Sequence, residues 1–302
     1  MKFNPRAALD VSSVLDRRGG GVFRGGRGVA VGGGGLALLG LIAYILFNIL
    51  TGGSASSVLG NLGQGQSANN TQLATECKTG QDANEKLDCA VVADIDSIQR
   101  YWATTLPSLG ARYASALTVW YTDGTQTACG AASSGMGPFY CPADKTVYID
   151  LSFYQDLQTK FGAQGGLFAD AYVLAHEYGH HVQDLLGTTA RVKPGDSGPT
   201  SGSVRLELQA DCYAGVWANH ATTVPDASGQ PLITEISQDD INRALDTAGR
   251  IGDDYIQTNL GNGRVNQSQF THGTSAQRQR WFMAGYRSGD PRICNTFGTN
   301  NL

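Results

Sequence analysis

Residues 176–180 read His-Glu-Tyr-Gly-His, a match to the pattern H-E-x-x-H, within the stretch LFADAYVLAHEYGHHVQDLLG from Leu167 to Gly187. On a helix, residues four apart stack on one face, so His176 and His180 can grip one metal ion. Glu177, one residue round the helix, can reach a water on that metal and serve as its base. The chemistry is metal-assisted hydrolysis. Three fixed letters also recur by chance, and a helix with two hydrogen-bonded histidines, or an exposed polar face, would read the same. The run Ala171, Tyr172, Val173, Leu174 and Ala175 predicts burial, however. Two imidazoles and a carboxylate in a buried segment are costly without a shared partner.

Such a pair needs a third ligand and a carboxylate to fix an imidazole tautomer. Val204 to His220 (VRLELQADCYAGVWANH) offers both, because Glu207 and Asp211 are four apart and share a helix face. Facing solvent is the ordinary fate of E-x-x-x-D, but the upstream pair favours Glu207 as ligand and Asp211 as the residue orienting His176. The ligand types make zinc, one ion per chain, the expected metal. His181 points roughly a hundred degrees away from the ligand face, and His220 ends a helix, so neither is expected to ligate.

The elements that must position these residues are readable from periodicity. Good helix formers fill 167–187, and Gly187 is placed to end that helix. Cys89 to Leu106 has helical apolar spacing, stopped by Pro107. Leu117 to Tyr121 and Thr146 to Leu151 read as two strands of a small sheet with a Gly/Ser/Cys loop between them. The second strand is expected to offer an edge for an extended peptide. Ser152 to Phe161 resumes a helical pattern, and Ser237 caps a later helix. Thr271 to Ser275 precedes a helix with Trp281, Phe282 and Tyr286 at core spacing. A sheet before the HEYGH helix and helices after it predict an α+β fold rather than a βαβ repeat.

Across the 302 residues, charged side chains are sparse at 16% and the net charge is a mild -4. No basic stripe points to nucleic acid. Basic residues crowd residues 1–28, and the apolar run Val29 to Leu50 follows (VAVGGGGLALLGLIAYILFNIL). That run is long enough to cross a bilayer. The charge asymmetry then predicts residues 1–28 as a cytoplasmic tail, 29–50 as a single transmembrane helix, 51–73 as a Gly/Ser/Asn/Gln linker and 74–302 as the folded domain. A cleaved signal peptide is the rival reading of the same run. The expected location is the inner membrane, with the domain in the periplasm or outside the cell and the lipid bilayer as a partner. All six cysteines (Cys77, Cys89, Cys129, Cys141, Cys212, Cys294) lie beyond the run, in keeping with disulfides. Fifteen complete pairings are open, of which Cys77–Cys89, Cys129–Cys141 and Cys212–Cys294 is the simplest.

HEYGH followed by Glu207-Leu208-Gln209-Ala210-Asp211 resembles the gluzincin metallopeptidases. More closely, KFNPRAALD, YCPADKTVYIDLSFY, AHEYGHHVQ, ELQADCYAGVWA and HGTSAQRQRWFMAGY together resemble the bacterial putative neutral zinc metallopeptidase family over nearly the whole chain. That resemblance implies a zincin-like domain with a small sheet packed on the HExxH helix, acting on a peptide or protein substrate. It also makes His272 the candidate for stabilising an oxyanion, with a capping role as the alternative. Arg278, one turn further, could orient a carboxylate or substrate, although a plain structural arginine is the simpler reading. The competing function is a non-catalytic, zinc-stabilised module that binds envelope peptides or proteins. A structural site prefers four protein ligands and has no use for Glu177. A zinc hydrolase acting on non-peptide amides also stays open.

Overall fold

The computed structural model describes residues 1–19, 70–193 and 195–302. Strands β1 (Lys2–Phe3) and β2 (Val14–Asp16) lead into helices α1 (Asn70–Glu76), α2 (Gly80–Glu85) and α3 (Leu87–Thr105). Five strands follow: β3 (Leu117–Trp120), β4 (Gly124–Thr127), β5 (Gly130–Ser133), β6 (Phe139–Cys141) and β7 (Thr146–Ile149). Helices α4 (Phe153–Thr159), α5 (Leu167–Leu185) and α6 (Gly202–His220) precede β8 (Ile233–Glu235). The chain then closes with α7 (Gln238–Arg250), α8 (Asp253–Asn259) and α9 (Ser275–Ser288).

The β-branched and aromatic runs LTVW and TVYI pair in parallel as β3 and β7, with Val119 opposite Tyr148. The sheet order is β2-β3-β7-β6, so the layout is mixed α+β with small sheets. The expected free edge at Thr146 to Leu151 is corrected here. β7 has β3 on one side and antiparallel β6 on the other, which occupies the backbone groups a bound peptide would need. The sheet is joined to α5 by side chains, including a 2.8 Å hydrogen bond between the Thr118 and Tyr178 hydroxyls. His181 also serves this contact. It lies 3.0 Å from the Tyr140 hydroxyl and donates from Nε2 to the Ala114 carbonyl at 2.6 Å.

Glycines let the central helices touch backbone to backbone. A Cβ on Gly179 would lie 2.9 Å from the Ala210 Cα, so α5 and α6 can approach only because that position is glycine. Gly215 of α6 and Gly285 of α9 act reciprocally, since a Cβ on either would strike the other helix's backbone at 2.0 Å. The six cysteines form the three sequential disulfides, Cys77–Cys89, Cys129–Cys141 and Cys212–Cys294.

The expected location is also corrected. β1 pairs with β8, β2 pairs with β3, and Phe3, Ala7 and Val14 are buried in the domain. A single membrane crossing after residue 28 would place these residues and the HEYGH helix on opposite sides of a bilayer, whereas they share one folded unit. The first residues are therefore not a separate cytoplasmic tail. Among the described residues, no helix is long and apolar enough to cross a membrane. The stretch 29–50 lies outside the described residues, as does the expected linker up to residue 69; residues 70–73 begin α1.

Candidate metal centre

α5 carries His176, Glu177 and His180, and α6, packed against it through Gly179, carries Glu207 and Asp211. The Nε2 atoms of His176 and His180 are 3.2 Å apart. Glu207 Oε2 lies 3.1 Å from His176 Nε2, and Oε1 lies 3.4 Å from His180 Nε2. Tetrahedral zinc with bonds of about 2.05 Å would hold its ligand atoms about 3.3 Å apart. The three side chains therefore stand at ligand spacing.

Their protonation chemistry fits a cation as well. His176 Nδ1 donates to Asp211 Oδ1 at 2.8 Å, which leaves the Nε2 lone pair facing the centre. For His180 the same task falls to Gln183. Its Nε2 donates to the Leu206 carbonyl (2.7 Å) and to Gln209 Oε1 (3.1 Å), so its Oε1 accepts from His180 Nδ1 (2.9 Å). Two lone pairs facing each other at this distance, beside a carboxylate, repel unless a positive charge sits among them. Burial disfavours charge on His176, yet the Asp211 carboxylate and its hydrogen bond outweigh burial and push the imidazole up to about 10. The field that favours a proton there favours a metal ion equally. Burial likewise opposes ionisation of Glu207, but the His180 charge and the contact with His176 hold it well below the ordinary carboxylate range.

Asp211 is fully buried and four-fold bonded. Oδ1 accepts from the Tyr172 hydroxyl (2.6 Å), His176 and Arg278 Nη2 (2.9 Å), and Oδ2 accepts from Arg278 Nε (2.8 Å). Burial alone would raise its pKa; the Arg278 and His176 charges bring it down to about 2. Arg278 is thus neither a surface residue nor a general structural one. It is 2% exposed and clamps the carboxylate that orients His176, in a bidentate geometry that lysine could not reproduce.

Glu177 differs from its neighbours. It makes no side-chain hydrogen bond among the described residues, and burial raises its pKa against the pull of His176 and His180. A carboxylate without a partner and biased by burial toward its protonated form is suited to take up a proton. His272 stands close enough for the Glu207 charge to act on it. Its Nδ1 is 3.1 Å from Asp253 Oδ1, whose other oxygen accepts the backbone N–H groups of Thr271 (2.8 Å), His272 (2.7 Å) and Gly273 (2.9 Å). Burial disfavours the imidazolium of His272, but Asp253 overrides this and raises its pKa. His220 lies elsewhere, with its Nε2 donating to the Gly289 carbonyl at 3.0 Å.

Gln183, Tyr172 and Asp253 are parts of the site that the sequence did not single out. Gln183 had a readable signal, three residues past His180 on the same helix. Asp253 had none, because its role depends on meeting residues 271–273 in space.

A family profile described as "putative neutral zinc metallopeptidase" matches residues 3–297. An uncharacterized protein of Mycobacterium tuberculosis is 48% identical over 229 residues, covering 76% of each chain. The uncharacterized protein YpfJ of Escherichia coli is 42% identical over 307 residues, covering 99% of each. No solved structure matches.

Proposed function

The chain belongs to the putative neutral zinc metallopeptidase family, and on that premise we propose that it is a zinc-dependent peptidase with Glu177 as general base. The observation that carries this reading is the convergence of His176, His180 and Glu207, all three ligand atoms within 4.8 Å of one another, beside a carboxylate left without a partner. His176, His180 and Glu207 would hold zinc. When bound, zinc supplies Lewis acidity and lowers the pKa of a water in its open position.

The chain's own residues do the rest. Asp211, clamped by Arg278 and Tyr172, keeps the His176 proton on Nδ1, and Gln183 does the same for His180. Glu177 takes a proton from the water that attacks the peptide carbonyl and passes it to the leaving amine. His272, held by Asp253, would donate from Nε2 to the oxygen on which charge develops. The unpartnered Glu177 favours catalysis over a purely structural zinc site, where a buried free carboxylate would be a liability.

Metal analysis of the purified full-length chain, with a mixed peptide library assayed with and without chelator, tests this. The expected result is one zinc per chain and chelator-sensitive cleavage restored by zinc. Bound zinc without cleavage of any peptide or protein would leave the non-catalytic module in its place.

A further inference from the structure

Along one face of α5, Leu167 and His180 are half-buried, and between them Asp170 (8%), Val173 (5%), His176 (6%) and Glu177 (8%) keep slight exposure. Between them, Ala171, Tyr172, Leu174 and Ala175 are at 1% or below. A strip of the helix therefore opens from the candidate metal centre toward its N-terminus. Asp170 precedes Glu177 by two turns and stands about 10 Å from it along the same face.

The Asp170 carboxylate makes no hydrogen bond or ion pair among the described residues. Two further polar groups nearby are equally unsatisfied. Asp94 of α3, 1% exposed, has an Oδ1 without a partner, and Tyr154 of α4, 3% exposed, has a hydroxyl without one. The Asp170 charge acts on Asp94, and the charges of Asp170, Asp94 and Glu177 all act on Tyr154. The Met1 ammonium reaches Asp94, but it is ion-paired with Asp240 at 2.5 Å, and among the described residues no cation is ion-paired with Asp170. Burial pushes Asp170 up to about 7. Two acids and a phenol gathered around one ammonium that Asp240 already pairs form an arrangement that an incoming positive group would relieve.

We propose that Asp170, supported by Asp94 and Tyr154, is an anionic subsite that receives the Lys or Arg side chain of a peptide residue flanking the scissile bond. This rests on the peptidase reading above. The distance selects a side chain over a peptide's α-amino group. An α-amino group on the flanking residue lies within about one Cα–Cα step (3.8 Å) of the reacting carbonyl. A long basic side chain carries its charge several ångströms further from the backbone, along the strip toward Asp170.

Two measurements on the full-length chain test the subsite. In the first, kcat/KM is compared for quenched peptides that carry Lys, Arg, norleucine or Glu on either side of the cleaved bond. The basic peptides are expected to be preferred at one of the two positions. Asp170→Asn is expected to lower the Lys-to-norleucine ratio by about tenfold or more, and Asp170→Lys to turn the preference toward Glu. In the second, calorimetry compares Nα-acetyl-lysine amide with Nα-acetyl-norleucine amide, and Asp170→Asn is expected to abolish the advantage of the lysine compound. Cleavage without basic preference, together with equal affinity for the two amides, overturns the subsite and leaves the peptidase standing. Asp170-dependent lysine binding with every peptide uncut keeps the cation subsite and removes the peptidase.

Discussion

At the scale of single residues, the site separates into groups that hold and one group that reacts. His176, His180, Glu207 and Asp211 are each fixed by partners, whereas Glu177 has no side-chain partner among the described residues. Glu177→Gln keeps the shape and removes the base. It is expected to reduce peptide hydrolysis by about 10³-fold while zinc content by atomic absorption stays unchanged; retained hydrolysis would assign the base elsewhere. Asp170 gives a second prediction, in stability. Its carboxyl pKa moves from 3.8 to about 7 on folding. A carboxyl raised by folding contributes stability fully below its unfolded pKa and loses that contribution as pH rises through the folded value. Asp94 titrates in the same sense, and Tyr154, Glu177 and the Met1 ammonium share its surroundings. Asp170→Asn is therefore expected to raise the melting temperature at pH 8 but not at pH 4. Parallel melting curves for the two proteins at both pH values would show that the carboxylate is already compensated.

At the scale of elements, the centre depends on how closely two helices approach. Gly179 sits inside the HEYGH motif, where the pattern leaves the residue free, yet it is the position that meets Ala210. A single methyl there must push α6 outward, and overpacking of this kind costs about 1–3 kcal/mol. Gly179→Ala is expected to weaken zinc retention against a chelator and to lower the melting temperature together. An unchanged protein would mean that the helices can slide apart without disturbing Glu207. This contact also explains what was legible in advance. The i, i+4 spacings of His176 with His180 and of Glu207 with Asp211 are local, and a helix converts them directly into shared faces. Helices α3, α5, α6 and α9 follow their apolar periodicity for the same reason. Gln183, Asp253 and the clamp from Arg278 act across 18 residues or more of chain, apart from the short step between Gln183 and His180. No periodicity encodes such meetings. The parallel pairing of β3 with β7 was likewise invisible, since each strand's pattern is the same whichever neighbour it takes.

At the scale of the whole molecule, the largest departure from the sequence reading is at the start of the chain. Strands of two and three residues carry too little alternation to register, and a cluster of basic residues ahead of an apolar run reads naturally as a tail. The information that places them is non-local. Lys2 lies opposite Glu235, and Val14 lies opposite Thr118. The backbone of Asn4 also fits against Gly80, where a Cβ would stand 2.0 Å from the Asn4 carbonyl oxygen. If the first residues belong to the domain, truncating one of their buried side chains must loosen the whole fold. Phe3 is 1% exposed and part of the main core, so Phe3→Ala is expected to destabilise the protein by about 3–5 kcal/mol. Thermal or denaturant unfolding of the full-length chain reads this directly. Hydrogen exchange adds a check that needs no mutation, because the Asn4 amide donates to the Leu232 carbonyl at 2.9 Å and should exchange as slowly as the strands around it. A Phe3→Ala protein as stable as the parent, with an Asn4 amide that exchanges at once, would return these residues to the status of a tail and remove the reason for placing them in the same unit as the metal centre.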